Sequence, residues 1–279
     1  MDPFASVITP TLGRPELERM LASLRAQELE DWEAVVVDDG DGTGVELARG
    51  FGDRRIHAVP SPGTGQVDAR NAAIVLSRGE VICWLDDDDW WEDPAHLSSL
   101  QAALRPDRFS YRGGWVVFDD GTREPFDLEA TAGSLLENNT VLTSSIAYPR
   151  LMHRRLGMLD RELGGYCDWD FMLRMCAARV LPERLPGPGV CYAIHESNVS
   201  SAFDAPQRLA YFERFKAKHA LDVQIANHLR IHRQLSSPAR PYTVLSSIGL
   251  PAAINARASS TLPQTFQSRN PRGLPAGST

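Results

Sequence analysis

The sequence predicts an α/β protein: three layers, helix–sheet–helix, around a mainly parallel sheet, with a helical extension at the C-terminus. Three observations carry this. Short β-prone apolar runs alternate with stretches of helical period through the first part of the chain. Two of those runs end abruptly in clustered aspartates, Asp38-Asp39 and Asp86 to Asp89. Hydrophobic residues make up 43% of the 279, enough for one large domain or for one domain with an elaborated end. Near-continuous apolar strands joined by crossover helices are the pattern of parallel sheets covered on both faces.

Taken in order, Ala5-Ser6-Val7-Ile8-Thr9 reads as a first strand, and Pro10-Thr11-Leu12-Gly13-Arg14-Pro15 as the loop after it. From Glu16 to Ala26, Leu17, Met20, Leu21 and Leu24 recur at helical spacing. Trp32 to Val37 is a second strand, running into Asp38-Asp39-Gly40-Asp41-Gly42. Val45 to Phe51 is a short helix and Arg55 to Val59 a third strand. The Gly-rich loop Gly63-Thr64-Gly65 precedes a helix from Val67 to Ser77, which Gly79 stops. Val81 to Leu85 is a fourth, buried strand. It drives into Asp86-Asp87-Asp88-Asp89, then Trp90-Trp91, and a helix begins near Pro94. Both aspartate clusters follow strands of one parallel sheet, so they share the carboxyl-end rim, where such sheets bind ligands. With Arg70 and Asn71 after the Gly-rich loop between them, this has the makings of a nucleotide site.

The second half is less regular. Tyr111 to Phe118 is strand-like, Asp119-Asp120-Gly121-Thr122 a turn, and Leu135 to Thr143 leads into a strand over Ser144 to Tyr148. The loop Gly164-Gly165-Tyr166-Cys167 feeds an amphipathic helix with acid in its first turn, Asp168 and Asp170. Gly189 to Ile194 reads as a strand ending at His195-Glu196-Ser197-Asn198-Val199-Ser200. Gln207 to Gln234 is mostly helical, and its Arg208, Arg214, Lys216, Lys218, Arg230 and Arg233 suit either a solvated face or an anionic membrane surface. The organisation expected is a domain over 1–200, with a nucleotide half to about residue 110 and an acceptor half over 111–200. A helical extension over 201–235 follows, then a Pro/Ser-rich tail over 236–279, packed in part through Tyr242-Thr243-Val244-Leu245.

Net charge of −7 and a pI near 5.5 argue against a nucleic-acid partner, whose footprint is basic. No segment approaches the roughly 18–20 apolar residues of a membrane span, and Met1-Asp2-Pro3-Phe4 is not the start of a secretory signal. Cys83, Cys167, Cys176 and Cys191 form no CxxC pair and read as reduced core thiols of a cytoplasmic protein.

Adjacent carboxylates repel one another and are costly unless solvated or neutralised. Mg²⁺ and Mn²⁺ are hard cations that join carboxylates to a substrate's phosphates, so the run Asp86 to Asp89 suggests a metal–phosphate site. The plain alternative is a solvated turn leading into a helix.

The ordered motifs resemble those of the inverting, GT-A fold glycosyltransferases of family 2. The residues that carry this are Ser6 to Thr11, Val35-Val36-Val37-Asp38-Asp39-Gly40, Ala69-Arg70-Asn71, Gly79 to Asp89, and Asp168-Trp169-Asp170-Phe171-Met172-Leu173-Arg174. The resemblance implies a Rossmann-like GT-A domain through about residue 200. It also implies metal-assisted transfer from a nucleotide-diphosphate sugar, a UDP-sugar most simply, to a hydroxyl. In that reading Pro10 and Thr11 border the donor base, with Arg14 also on the nucleotide. Asp39 accepts a hydrogen bond from the base, supported by Asp38, and Arg70 reaches the base or the diphosphate. Asp86 or Asp87 lies near the ribose, Asp88 ligates Mg²⁺ or Mn²⁺, and His195 sits by the metal or the diphosphate. Asp168 falls at the catalytic base, preceded by Cys167 where the family carries Glu. In the family's Tyr-Arg-x-His segment, Ala193 replaces the Arg. The acceptor could be a glycan, a lipid-linked sugar or a small molecule, and a homodimer is left open. Two other readings stand beside this one. A sugar-nucleotide pyrophosphorylase would have a Gly-rich first loop, and this one has only Gly13. The other is a degenerate sugar-nucleotide-binding protein.

Overall fold

A computed structural model describes residues 2–195, 205–226 and 228–235. The expected tail over 236–279, with Tyr242 to Leu245, lies outside them, as does the stretch from Glu196 to Ser200.

The first half alternates as expected: β1 (Ala5–Thr11), α1 (Glu16–Arg25), β2 (Trp32–Asp38), α2 (Thr43–Gly50), β3 (Ile56–Pro60), α3 (Gln66–Leu76) and β4 (Val81–Trp84). The four strands lie in the order β3-β2-β1-β4, all parallel. β1 and β2 are buried along their whole length, as central strands covered on both faces must be. Successive side chains go to opposite faces. Ile8, Val35 and Val37 join one apolar cluster, while Val7, Ala34 and Val36 join another with Leu17, Met20, Leu21 and Leu24 of α1. This alternation makes the three layers.

The second half departs from simple alternation. Its elements are β5 (Trp90–Trp91), α4 (His96–Ala103), β6 (Arg108–Phe118), β7 (Arg123–Phe126), β8 (Ala147–Pro149), α5 (Met152–Leu156), α6 (Cys167–Ala177), β9 (Leu181–Ile194), α7 (Pro206–His219) and α8 (His228–Leu235). β8 sits antiparallel between β4 and β6, and β6 pairs in parallel with β9. β5 and β7 add antiparallel strands to β9 and β6. The sheet is therefore parallel through β4 and mixed beyond it.

Three local expectations change. Trp90-Trp91, read as the approach to a helix, pairs with Cys191 and Val190 as a short strand. Of the strand expected over Ser144 to Tyr148, Ser144 and Ser145 belong to a 3-10 turn at Thr143–Ser145, and the paired strand is Ala147–Pro149. β9 begins at Leu181, well before Gly189. It carries Pro182, Pro186 and Pro188, residues that argue against a strand in sequence. The ladder tolerates them because its register shifts at Gly113 and Gly114 of β6. The backbones approach so closely there that a Cβ on Gly114 would collide with the carbonyl oxygen of Val190.

The basic extension is fastened to the body. Phe212 and Phe215 of α7 are buried, with the Phe215 ring tilted against Trp169 at 4.6 Å and Phe212 against Tyr166 at 5.1 Å. Lys218 pairs with Asp160 at 2.6 Å and with Asp170 at 2.8 Å, Arg214 with Glu162 at 3.2 Å, and Arg233 with Glu124 at 3.1 Å. Among the described residues no helix is long and apolar enough to cross a membrane.

Candidate active site

A cavity of about 500 Å³ opens over the carboxyl ends of the parallel strands. Pro10, Thr11 and Arg14 line it from the end of β1 and the loop after it, Asp39 from the turn after β2, and Gly65, Gln66 and Arg70 from the start of α3. Asp86, Asp87 and Asp88 line it beyond β4. Asp168 and Trp169 of α6 enter from the second half, with Asn139, Thr143 and Tyr166 beside them. Tyr192, Arg208, Tyr211, His228 and Ile231 bring β9, α7 and α8 into the wall.

The four aspartates divide by partner. Asp86 pairs with Arg70 at 2.5 Å, while Arg70 lies buried with its guanidinium 5.0 Å over the Trp84 ring. Burial disfavours that guanidinium's charge, but Asp86 and its neighbours outweigh burial and hold it above the ordinary arginine range. Arg70 is thus a buried brace for Asp86 on the cavity wall. Asp87 accepts a hydrogen bond from Thr11 Oγ1 at 2.7 Å. Burial pushes its carboxyl up to about 6; Asp88 adds to the push and the Thr11 bond opposes it. Asp88 Oδ2 meets Arg14 at 3.2 Å and His195 Nε2 at 2.9 Å. Burial and the charge of Asp86 raise its pKa, against the pull of His195 and Arg14. Asp89 turns away from the cavity and is fully buried, accepting from Ser144 Oγ and, at 2.8 Å, from the backbone N–H of Ala193. It welds the acidic turn to β9. Burial, with Asp88 and Asp86 adding to it, drives its carboxyl well above the usual range. The reading of this run as a solvated turn is corrected: Asp87, Asp88 and Asp89 are all buried.

The earlier pair divides similarly. Asp38 is buried and does not line the cavity. Its two oxygens accept from the backbone N–H groups of Gly40 at 2.7 Å and Val45 at 3.2 Å, which fixes the loop into α2. Asp39 does line the cavity, and it accepts from the N–H of Gly65 at 2.6 Å, tying its turn to the Gly-rich loop.

On α6, Asp168 is held by neutral donors: Thr143 Oγ1 at 2.7 Å, Asn139 Nδ2 at 3.3 Å and the N–H of Trp169 at 2.7 Å. Such bonds orient a carboxylate without neutralising it. Cys167, just before it, takes a long contact of 3.7 Å from Arg70, and burial pushes its thiol up to about 12. His195 follows the end of β9, so its contact with Asp88 depends on a strand far along the chain.

The donor set fits a divalent cation. Asp88 and His195 offer an oxygen and a nitrogen within one contact of each other, and the excess of buried carboxylate calls for a positive charge. Among the described residues no three His, Cys, Asp or Glu side chains form a complete cage. The remaining ligands would come from substrate oxygens and water, the usual habit of Mg²⁺.

Sequence reasoning missed Asn139, Thr143, Tyr192, Tyr211 and His228 as wall residues. Asn139 and Thr143 lie in an irregular segment, and His228 opens a basic helix, so no local pattern singled them out.

The family model for glycosyl transferase family 2 matches residues 6–176. An uncharacterized glycosyltransferase of Bacillus subtilis, YwdF, is 28% identical over 227 residues, covering 77% of this chain and 84% of that protein. Among solved structures, S. aureus TarS 1-349 in complex with UDP-GlcNAc superposes with a TM-score of 0.62 at 19% identity, covering 80% of this chain and 68% of that one. The mannosyltransferase PcManGT from Pyrobaculum calidifontis, in complex with GDP-Man and Mn²⁺, gives 0.61 at 17% identity, covering 84% and 69%. The pyrophosphorylase and non-enzymatic readings give way to these matches: the chain belongs to glycosyltransferase family 2 and is a glycosyltransferase of the GT-A fold.

Proposed function

We propose that the cavity takes a nucleoside-diphosphate sugar, a UDP-sugar most simply, and transfers its sugar with inversion to an acceptor hydroxyl. The observation that carries this reading is that Asp168 and the acidic turn line one cavity from two different halves of the fold. In this reading Asp39, with Pro10 and Thr11, meets the base, and Asp86 or Asp87 the ribose. Asp88 and His195 would hold Mg²⁺ or Mn²⁺, which when bound supplies positive charge to the leaving diphosphate. Arg14 lies against Asp88 and offers a further positive charge there.

Asp168 acts at the other end. As the acceptor oxygen bonds to the anomeric carbon, its proton passes to the Asp168 carboxylate, and the bonding pair of the departing linkage leaves with the diphosphate. A single displacement from the face opposite the diphosphate inverts that carbon. The neutral donors around Asp168 leave its charge available for the proton. The relatives lend support, since TarS was captured with UDP-GlcNAc and PcManGT with GDP-Man and Mn²⁺.

The test is calorimetric titration of UDP, with and without Mn²⁺, into wild type and Asp88→Ala, with GDP, dTDP and CDP for comparison. The expected result is UDP binding that requires Mn²⁺ and weakens at least about tenfold in the variant, the scale of losing one charge-assisted contact. Preference for another nucleotide would reassign the base. Metal-independent binding unchanged in Asp88→Ala would overturn the metal site.

A further inference from the structure

Three of the four acids after β4 line the cavity; the fourth, Asp89, is fully buried behind them. The antiparallel pairing of β5 with β9 sets Trp91 opposite Val190 and Trp90 opposite Cys191. The bond from the Glu92 N–H to the Gly189 carbonyl belongs to the same ladder. Hydrogen-bonded pairs alternate along such a ladder, so one more rung would send the Ala193 N–H to the carbonyl of Asp88. The ladder stops short of that rung. Arg19 occupies the Asp88 carbonyl at 2.7 Å, with its guanidinium 3.8 Å over the Trp90 ring. The Ala193 N–H goes instead to Asp89 Oδ1 at 2.8 Å, so a side chain stands in for the missing rung. Asp89 Oδ2 accepts from Ser144 Oγ, which itself accepts from the Asp86 N–H at 3.1 Å. The Ser144 carbonyl is held in turn by Trp91 Nε1 at 2.9 Å. Each oxygen of Asp89 is thus tied to a different part of the fold. Two residues beyond Ala193, His195 Nε2 meets Asp88 Oδ2 at 2.9 Å.

We propose that Asp89 is the positioning residue of the candidate metal pair: by accepting the Ala193 N–H it fixes the end of β9 so that His195 stays against Asp88. The inference rests on the reading of Asp88 and His195 as ligands and adds the residue that sets their spacing. Neighbouring acids divide the work. Asp88 faces the cavity, and Asp89, one residue on, grips the strand from which His195 emerges. What Asp89 supplies is a hydrogen-bond acceptor at a fixed place rather than its charge. An asparagine there keeps a carbonyl oxygen for Ala193, and its amide can donate to Ser144 Oγ. An alanine keeps neither, and the Ala193 N–H loses its acceptor. Contacts that orient a ligand in this way are worth about 10–100-fold in metal affinity.

The test is a Mn²⁺ titration of the full chain in the presence of UDP, with free Mn²⁺ counted by EPR against a UDP-only control and folding checked by thermal midpoint. Asp89→Ala should bind Mn²⁺ at least about tenfold more weakly than wild type, and Asp89→Asn should stay within about threefold. The same pair is then made in a His195→Ala background. There Asp89→Ala should add less than about twofold, because a residue that acts through His195 has nothing left to position. Should Asp89→Ala not fold, Ser144→Ala is the milder break. It leaves the carboxylate in place with one tie fewer, and its loss of Mn²⁺ affinity should likewise vanish without His195. Wild-type affinity in the folded variant, an Asp89→Asn as weak as Asp89→Ala, or the same loss with and without His195 would each overturn the proposal. A wild type that binds no Mn²⁺ would instead sink the metal reading on which it rests.

Discussion

Two aspartates in the first turn of α6 stand in opposite surroundings. Asp168 faces the cavity and is held by Thr143, Asn139 and a backbone N–H, all neutral. Asp170 faces the body and is fully buried, paired with Arg174 at 2.8 Å and Lys218 at 2.8 Å and hydrogen-bonded to His219 Nε2 at 2.8 Å. Burial pushes the Asp170 carboxyl up, but His219, Arg174 and Lys218 more than offset it and hold it down at about 2. The same residue type, two positions apart, serves chemistry on one side of the turn and anchoring on the other. The difference comes from the partners, since a base must keep a charge that can take a proton, whereas an anchor must have its charge answered.

The sharpest break of this comparison is Asp168→Asn. It removes the base and leaves a near-isosteric amide among neutral donors, so turnover of the donor sugar should fall about 10²–10⁴-fold. Folding stability should stay within about 1 kcal/mol, because no ion pair is lost. Next in size is Asp170→Asn, which takes the buried acid from Arg174 and leaves Lys218 with Asp160 alone. Denaturant titration should find a loss of about 3 kcal/mol, the low end for a broken buried pair, since both cations keep some access to water.

The acid titration of that difference follows in size. Asp170 has a folded pKa of about 2, below its ordinary 3.8. A depressed carboxyl contributes stability that is fully present above the unfolded value and lost as pH falls through the folded one. The gap between wild type and Asp170→Asn should therefore be constant above about pH 4 and shrink by about 2 kcal/mol toward pH 2. Smallest is Lys218→Met. Lys218 is 30% exposed, so its pairs with Asp160 and Asp170 are partly screened, and the loss should be about 1 kcal/mol in the same titration.

Periodicity made the α6 helix legible, and motif order singled out Asp168. Asp170 has one local sign, Arg174 four residues on, but its other partners, Lys218 and His219, come from α7, a helix distant in sequence. The acidic turn has the same lesson. Its position at the end of β4 was readable, since a buried apolar run must stop where four acids begin. Which acid meets Arg70, Thr11, His195 or Ala193 was not, because each partner sits on a different element. The parallel half of the sheet could be read strand by strand from its apolar runs. β9 could not, because its three prolines hide a strand that survives only beside the irregular pairing at Gly113 and Gly114.

The most direct measurement crosses the two aspartates with the two readouts: UDP-sugar turnover with Mn²⁺, and denaturant midpoint, in Asp168→Asn and Asp170→Asn side by side. The account predicts that Asp168→Asn loses turnover and keeps its midpoint, while Asp170→Asn loses its midpoint and keeps its turnover per folded molecule. Near-normal turnover in Asp168→Asn would contradict it.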